Sequence, residues 1–135
     1  MLRNLTPLDY YNNHVTFNID DMLVLINAPC KNKPMYERYN LRNYGNIVGG
    51  TKTNYINVPM DVMLSCCETS IKKKQAVWFG ADVSKYLHRN EGVLDQNLFN
   101  YKSLFDFDIE IDKGNKIEYH SSMLNHAMLI KGFDK

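Results

Sequence analysis

The stretch that decides the fold is SMLNHAMLIKGF, residues 122–133. It is short and mostly apolar, and Gly132 interrupts it near its end, a profile that favours a buried strand over a helix. His126 does not fit a plain core strand, because it stands at the head of the apolar run. A histidine placed where a strand emerges suits proton transfer, since imidazole titrates near neutral pH and a rigid strand holds its direction. The stretch alone also allows an inert, hydrogen-bonded core histidine.

Composition indicates one soluble globular segment. The 135 residues are enough for a single domain, and 44% hydrophobic with 23% charged residues argues against disorder. The net charge of +1 gives no global field that would recruit nucleic acid or a membrane. No apolar run approaches membrane-spanning length, and the N-terminus lacks the apolar region of a signal peptide. Three cysteines, two of them adjacent, predict a reducing compartment and therefore a cytoplasmic location.

Two helices are predicted from their start signals. Thr6 followed by Pro7 and Asp9 is typical of a helix N-terminus, and we expect that helix to reach about His14, on the surface. A similar Pro-Met-Asp start predicts a second helix over residues 59–74. Its apolar residues fall on one face at three- and four-residue steps, and lysines 72–74 close it at the negative end of the dipole. Such a lysine run is a weak signal for nucleic acid.

Strands are expected where apolar runs are short. The sequence predicts buried strands at 22–27 and 75–83, and a weaker one at 40–48. Gly49-Gly50 and residues 113–116 are typical of turns. Residues 51–58 are expected to be irregular or extended, and 84–112 loop-rich with a short helix at 101–105.

The spacing of reactive residues indicates no familiar site. No zinc-ligand spacing, phosphate-binding glycine loop or serine nucleophile elbow occurs, so we expect no metal and no cofactor. A thiol partner for His126 would have to be Cys30, Cys66 or Cys67. None has the setting of an activated thiol at a helix N-terminus, and packing is the expected role of all three. From spacing alone, His126 has no nucleophile to activate.

Six stretches, in this order along the chain, resemble motifs of the bleomycin hydrolase and aminopeptidase C family, a branch of the papain-like cysteine peptidases. They are TPLDYY at 6–11, VGGTKT at 48–53, NVPMD at 57–61, VWFGADV at 77–83, LDQNLF at 94–99 and MLNHAM at 123–128. The family counterparts of the two strand motifs read Val-Trp-Phe-Gly-Cys-Asp-Val and Leu-Met-Thr-His-Ala-Met. The sequence departs from them at Ala81 and Asn125, and His120-Ser121 stands where Gly-Glu is usual.

The resemblance implies that His126 is a catalytic base. It would deprotonate a cysteine thiol and then protonate the leaving amine. The family's nucleophile lies in an upstream Gly-Arg-Cys-Trp motif and its orienting asparagine in a downstream Asn-Ser-Trp-Gly motif, and neither occurs here. We therefore expect residues 1–135 to form one segment from the C-terminal half of a papain-like peptidase domain, inactive by itself. Its fold would be α+β, the histidine-bearing sheet half with flanking helices.

The resemblance also implies partners. The expected function is that of a cytoplasmic thiol aminopeptidase that trims peptides from the N-terminus and assembles, as the family does, into a hexamer. The alternative is a truncated, non-catalytic papain-fold module that binds a peptide or a partner subunit. A cut fold of this kind should expose apolar surface and self-associate.

Overall fold

The computed structural model describes residues 4–42, 44–45, 47–50, 52–107 and 110–134. Its helices are α1 (Pro7–His14), α2 (Met60–Lys72), α3 (Tyr101–Phe105) and α4 (Lys113–Glu118), with a 3₁₀ turn at Ile19–Asp21. Its strands are β1 (Val24–Ile26), β2 (Arg38–Tyr39), β3 (Tyr55–Asn57), β4 (Val77–Ala81), β5 (Leu87–His88), β6 (Val93–Leu94) and β7 (His126–Ile130). This mixture of helices and separate sheets confirms the predicted α+β class.

The first helix begins as its sequence predicts. The Thr6 hydroxyl accepts a hydrogen bond from the Asp9 backbone amide at 3.1 Å, and the Asp9 carboxylate accepts one from the Thr6 amide at 3.2 Å. This reciprocal capping box satisfies two amides that have no partner within the helix. Its hydrogen bonds hold the pKa of Asp9 below its ordinary value. His14 lies exposed in the last turn, as expected.

Three short strands form the first sheet. β3 lies in the middle, parallel to β1 and antiparallel to β2. The predicted strand at 22–27 is therefore confirmed over Val24–Ile26, but it is only half-buried. The predicted strand at 40–48 is wrong for the described residues of that stretch. The strand that pairs with β3 on this side is Arg38–Tyr39 instead. Arg38 lies opposite Ile56 and Tyr39 opposite Tyr55, so pairing with the backbone of β3 determines which residues form the strand.

The second helix leads into the second sheet. α2 begins at Met60, ends at Lys72, and contacts β4, which follows it. Lys72 pairs with Glu68 across one helical turn at 2.7 Å, an exposed pair typical of a solvated helix face. The predicted strand at 75–83 is confirmed over Val77–Ala81, but it is not buried, since its side chains alternate between half-buried and exposed positions.

The fourth helix corrects the predicted turn at 113–116. The Asp112 carboxylate accepts a hydrogen bond from the Asn115 amide at 3.0 Å, so Asp112 caps a helix that runs from Lys113 to Glu118. Gly114 is buried against the preceding part of the chain, where a Cβ would collide with the Pro29 carbonyl oxygen. The glycine that resembles a turn signal is therefore required by close backbone approach.

The core of the described chain is small and has a polar centre. Four apolar residues are buried, and Asn57 is fully buried. The Asn57 amide nitrogen donates to the carbonyl oxygens of Ala28 and Lys33 at 2.9 and 2.8 Å, and its oxygen accepts from the Ala28 amide at 2.9 Å. This side chain therefore ties the end of β3 to the loop that follows β1. The buried apolar residues are Ala28, Cys30, Val58 and Val83.

Candidate functional site

The candidate site lies at one end of the antiparallel pair β4–β7. Val77 pairs with Ile130 at the far end, and Ala81 pairs with His126 at the near end. The predicted strand at 122–133 is thus confirmed over His126–Ile130, with His126 as its first residue, but its residues are exposed or half-buried rather than buried. The backbone on both sides of the histidine is tied to β4, since the Asn125 amide before it donates to the Ala81 carbonyl oxygen.

His126 lies at one end of the β4–β7 pair, on the face whose other residues are half-buried. Residues opposite one another in an antiparallel pair share a face, so His126 lies on the face of Ala81, Phe79 and Met128. The histidine itself is exposed. Its ring makes no hydrogen bond or ion pair with any residue that the structure describes, so the inert, hydrogen-bonded core histidine is not what is observed.

The residue before the histidine makes the densest set of polar contacts at this site. The Asn125 amide nitrogen donates to the Asp82 carboxylate at 2.6 Å and to the Ser84 hydroxyl at 2.8 Å. Its side-chain oxygen accepts from the Val83 amide at 3.0 Å and, more weakly, from the Ser84 amide at 3.4 Å. Its backbone amide donates to the Ala81 carbonyl oxygen at 3.1 Å. Asn125 therefore links the end of β4 and the residues after it to the start of β7.

Asp82 extends this network to the segment before Asn125. Its second carboxylate oxygen accepts from the Met123 amide at 3.3 Å and lies 3.6 Å from the Lys85 ammonium. The Asp82 side chain is 7% exposed, so its negative charge is satisfied by these donors rather than by water. Lys85 also donates to the Ser121 carbonyl oxygen. The chain approaching His126 is held at residues 121, 123 and 125.

The three cysteines do not meet the histidine. Cys30 is buried, and its sulfur lies 3.8 Å from the Gly114 carbonyl oxygen and 3.9 Å from the Lys33 ammonium. Cys67 is half-buried on α2 and Cys66 is exposed beside it. Packing therefore describes Cys30 and Cys67 but not Cys66. In the part of the chain that the structure describes, none of these thiols makes a hydrogen bond with His126.

The described residues away from His126 form neither a metal site nor a deep cavity. No group of three or more His, Cys, Asp or Glu side chains within that set could hold a metal ion. Two shallow depressions are lined by residues around α3 and by residues 31–33 with 117–120, and neither includes His126. Of the helices described, none is long and apolar enough to span a membrane.

The network around Asn125 was not predicted, although a signal for it exists. Asp82 follows one predicted strand and Asn125 precedes the other. If two strands pair antiparallel, the end of one lies beside the start of the other, so these polar residues meet. The sequence does not state that the two strands pair, because more than 40 residues separate them.

Fold and site together define a class of protein. The chain is an α+β segment in which a histidine begins an antiparallel strand, with its ring free and the preceding residue anchored. This is the arrangement expected of the histidine-bearing part of a papain-like cysteine peptidase.

Comparison with known proteins gives the family. The model of the Peptidase C1-like family matches residues 1–135, and the chain belongs to that family. It is 38% identical over 128 residues to aminopeptidase C of Listeria innocua, covering 95% of this chain and 29% of the relative. It is 36% identical over 129 residues to bleomycin hydrolase of Gallus gallus, covering 93% and 28%.

A solved structure gives the fold. The crystal structure of PepW from Lactobacillus rhamnosis HN001 matches with a TM-score of 0.89 and 34% identity, over 96% of this chain and 29% of that one. The described fold is therefore a partial papain-like α+β fold, as predicted. The chain spans less than a third of the length of these relatives.

Proposed function

We propose that this chain is the part of a cysteine aminopeptidase that supplies the general base, His126. The observation that supports this most directly is the position of the histidine. It is exposed at the head of β7, anchored through its neighbour Asn125, and its ring is open to a reacting group. The relatives named aminopeptidase C and bleomycin hydrolase support the class of reaction.

The proposed mechanism needs a cysteine thiol from another segment. His126 accepts the thiol proton, and the thiolate attacks the carbonyl carbon of the first peptide bond of a substrate. The imidazolium then returns the proton to the departing amine, which leaves an acyl-enzyme thioester. Water, deprotonated by the same imidazole, hydrolyses the thioester and regenerates the thiol. Within these 135 residues, no described thiol contacts His126, so the isolated chain would not form the thioester.

The substrate, assembly and location belong to the same proposal. An aminopeptidase takes peptides with a free N-terminus, which is consistent with the name of the Listeria innocua relative. We propose a homo-oligomer in the cytoplasm as the working form.

The first experiment identifies the native product. An antibody to this chain is used for an immunoblot of source cells and for isolation of the product under native conditions. The product is then tested on aminoacyl amides that release a fluorophore. A band well above 15.8 kDa with hydrolytic activity supports the peptidase. A band at 15.8 kDa without hydrolysis favours the non-catalytic binding module instead.

The histidine is tested by substitution in that native product. We expect His126→Ala to lower kcat by about 10²–10⁴-fold, the usual contribution of general acid–base catalysis, with the thermal unfolding midpoint unchanged. His14→Ala is the matched control, because His14 is also exposed but lies at the end of α1. Equal activity of His126→Ala and wild type would remove the proposed role of this residue.

A further inference from the structure

We propose that Asn125 is the positioning residue of this site, acting on His126 through the backbone and through Asp82. The inference rests on the proposed role of His126 as base. Asn125 contacts no reacting atom itself, but it sets the direction of the His126 side chain, which does. Its basis is the set of hydrogen bonds that the Asn125 side chain makes with residues 82–84.

The amide of Asn125 uses both of its hydrogen-bonding ends. The nitrogen donates to the Asp82 carboxylate and the Ser84 hydroxyl, while the oxygen accepts from the backbone amides of Val83 and Ser84. An amide can provide two donors and an acceptor with two lone pairs, so its capacity is filled. A side chain held from both ends in this way has one orientation relative to the segment after β4.

Fixing Asn125 fixes the direction of His126. Successive side chains of a strand point to opposite faces, so the rotation of the chain at residue 125 sets the direction of the Cα–Cβ bond at residue 126. His126 is the first residue of β7, where its strand partner is Ala81, and the backbone before it is held to β4 by the hydrogen bond from the Asn125 amide to the Ala81 carbonyl oxygen. The Asn125 side chain adds to this backbone bond a second set of hydrogen bonds, to residues 82–84, on the N-terminal side of His126.

Asp82 and Lys85 make the anchor itself rigid. The nearly buried Asp82 carboxylate binds the Asn125 amide with one oxygen and the Met123 amide with the other, and Lys85 lies beside it. The residues that hold Asn125 thus follow the end of β4, while His126 is the first residue of β7. A displacement of one strand end relative to the other changes where the imidazole points.

Three substitutions separate positioning from simple folding, each made in the native product. We expect Asn125→Ala to lower kcat about 10- to 100-fold with KM unchanged, since small misplacement of a catalytic group has effects of this size. Asn125→Thr should recover most of kcat, because a hydroxyl can donate to Asp82 and accept from a backbone amide. Asn125→Asp should not recover it, because the new carboxylate faces Asp82 and offers no donor.

Asn90→Ala is the matched control. Asn90 is exposed in the turn between β5 and β6, and its side chain makes no hydrogen bond with any described residue. It should leave kcat and KM unchanged. Unchanged kcat in Asn125→Ala would overturn the proposal, and so would equal loss in the Thr and Asp variants, which would indicate a requirement unrelated to hydrogen bonding.

A second readout keeps this proposal separate from the proposed function. The native product is labelled with ¹³C at the histidine rings, and the His126 signal is identified by its loss in His126→Gln. Ring relaxation is then compared between wild type and Asn125→Ala. If wild type does not hydrolyse peptides, the proposed function fails. Increased ring motion in Asn125→Ala would still support positioning, and identical relaxation would overturn it.

Discussion

At the scale of the residue, Asn57 shows how one buried amide can organise a loop. Its side chain makes hydrogen bonds with backbone groups of the segment after β1, which lie outside the sheets and helices. Buried backbone groups are nearly always paired, and here one side chain serves residues 28 and 33 together. The family motif at 57–61 includes this residue, but the sequence does not say whether Asn57 serves the helix that follows or the loop before it.

Removing this amide should destabilise the protein strongly. We expect Asn57→Ala to lower the free energy of unfolding by about 2–4 kcal/mol, because it removes the partners of the buried Ala28 amide and of the part-buried Lys33 carbonyl oxygen. Urea unfolding measures the change. Asn54→Ala is the matched control, since Asn54 is exposed and makes no side-chain hydrogen bond with a described residue. Equal urea midpoints for Asn57→Ala and wild type would contradict this account of the core.

At the scale of the element, α1, α2, β4 and β7 are confirmed because their signals are local. Thr6-Pro7 starts α1, the periodic apolar face identifies α2, and short apolar runs identify β4 and β7. β2 and α4 were missed for a different reason. Arg38–Tyr39 is a strand because β3 offers it a backbone edge, and residue 114, which resembles a turn signal, is glycine because Pro29 approaches too closely for a Cβ. Neither cause is present in the local sequence.

The cap of α4 predicts a dependence on pH. The hydrogen bond from the Asn115 backbone amide is the main reason that the pKa of Asp112 lies below its ordinary value of 3.8. A lowered folded-state pKa stabilises the folded helix above the unfolded pKa, and this contribution is lost as pH falls through the folded value. We therefore expect α4 to fray below about pH 4, where unfolded aspartate titrates. Amide hydrogen exchange of residues 113–118, followed as a function of pH, measures this fraying.

An isosteric variant controls for this effect. Asp112→Asn keeps an N-cap oxygen but cannot titrate, so the protection factors of the α4 amides, which are corrected for the intrinsic pH dependence of exchange, should not change across the same pH range. If Asp112→Asn and wild type show the same pH dependence, another group is responsible. Asp9, whose pKa is also lowered, provides an internal comparison at α1.

At the scale of the whole molecule, the described chain leaves much apolar surface in water. Trp78 is 71% exposed and Leu129, its cross-strand partner, is 51% exposed, so they form an apolar patch on the outer face of β4–β7. Neither strand is long, and the opposite face of the pair is only half-buried. Exposed apolar patches promote association.

We expect the isolated 135-residue chain to self-associate through this patch. Sedimentation velocity at increasing concentration should show oligomers for wild type, and Trp78→Ser with Leu129→Ser should shift the distribution towards monomer, because less apolar area remains to be buried. Leu104→Ser is the control, since Leu104 is equally exposed but lies on α3. A monomeric wild type would disprove the expectation, and an equal shift in the control would show that association is not specific to this patch.

The sequence by itself determined the class of the protein and the identity of the candidate base. Helix caps, periodic apolar faces and short apolar runs act over a few residues, so α1, α2, β4 and β7 could be predicted, and the ordered motifs pointed to the family and to His126. The tertiary structure decided which parts meet. It brought Asn125 to Asp82, Asn57 to Ala28 and Gly114 to Pro29. These contacts join residues tens of positions apart, and their free energy depends on strand pairing and burial that exist only in the folded chain.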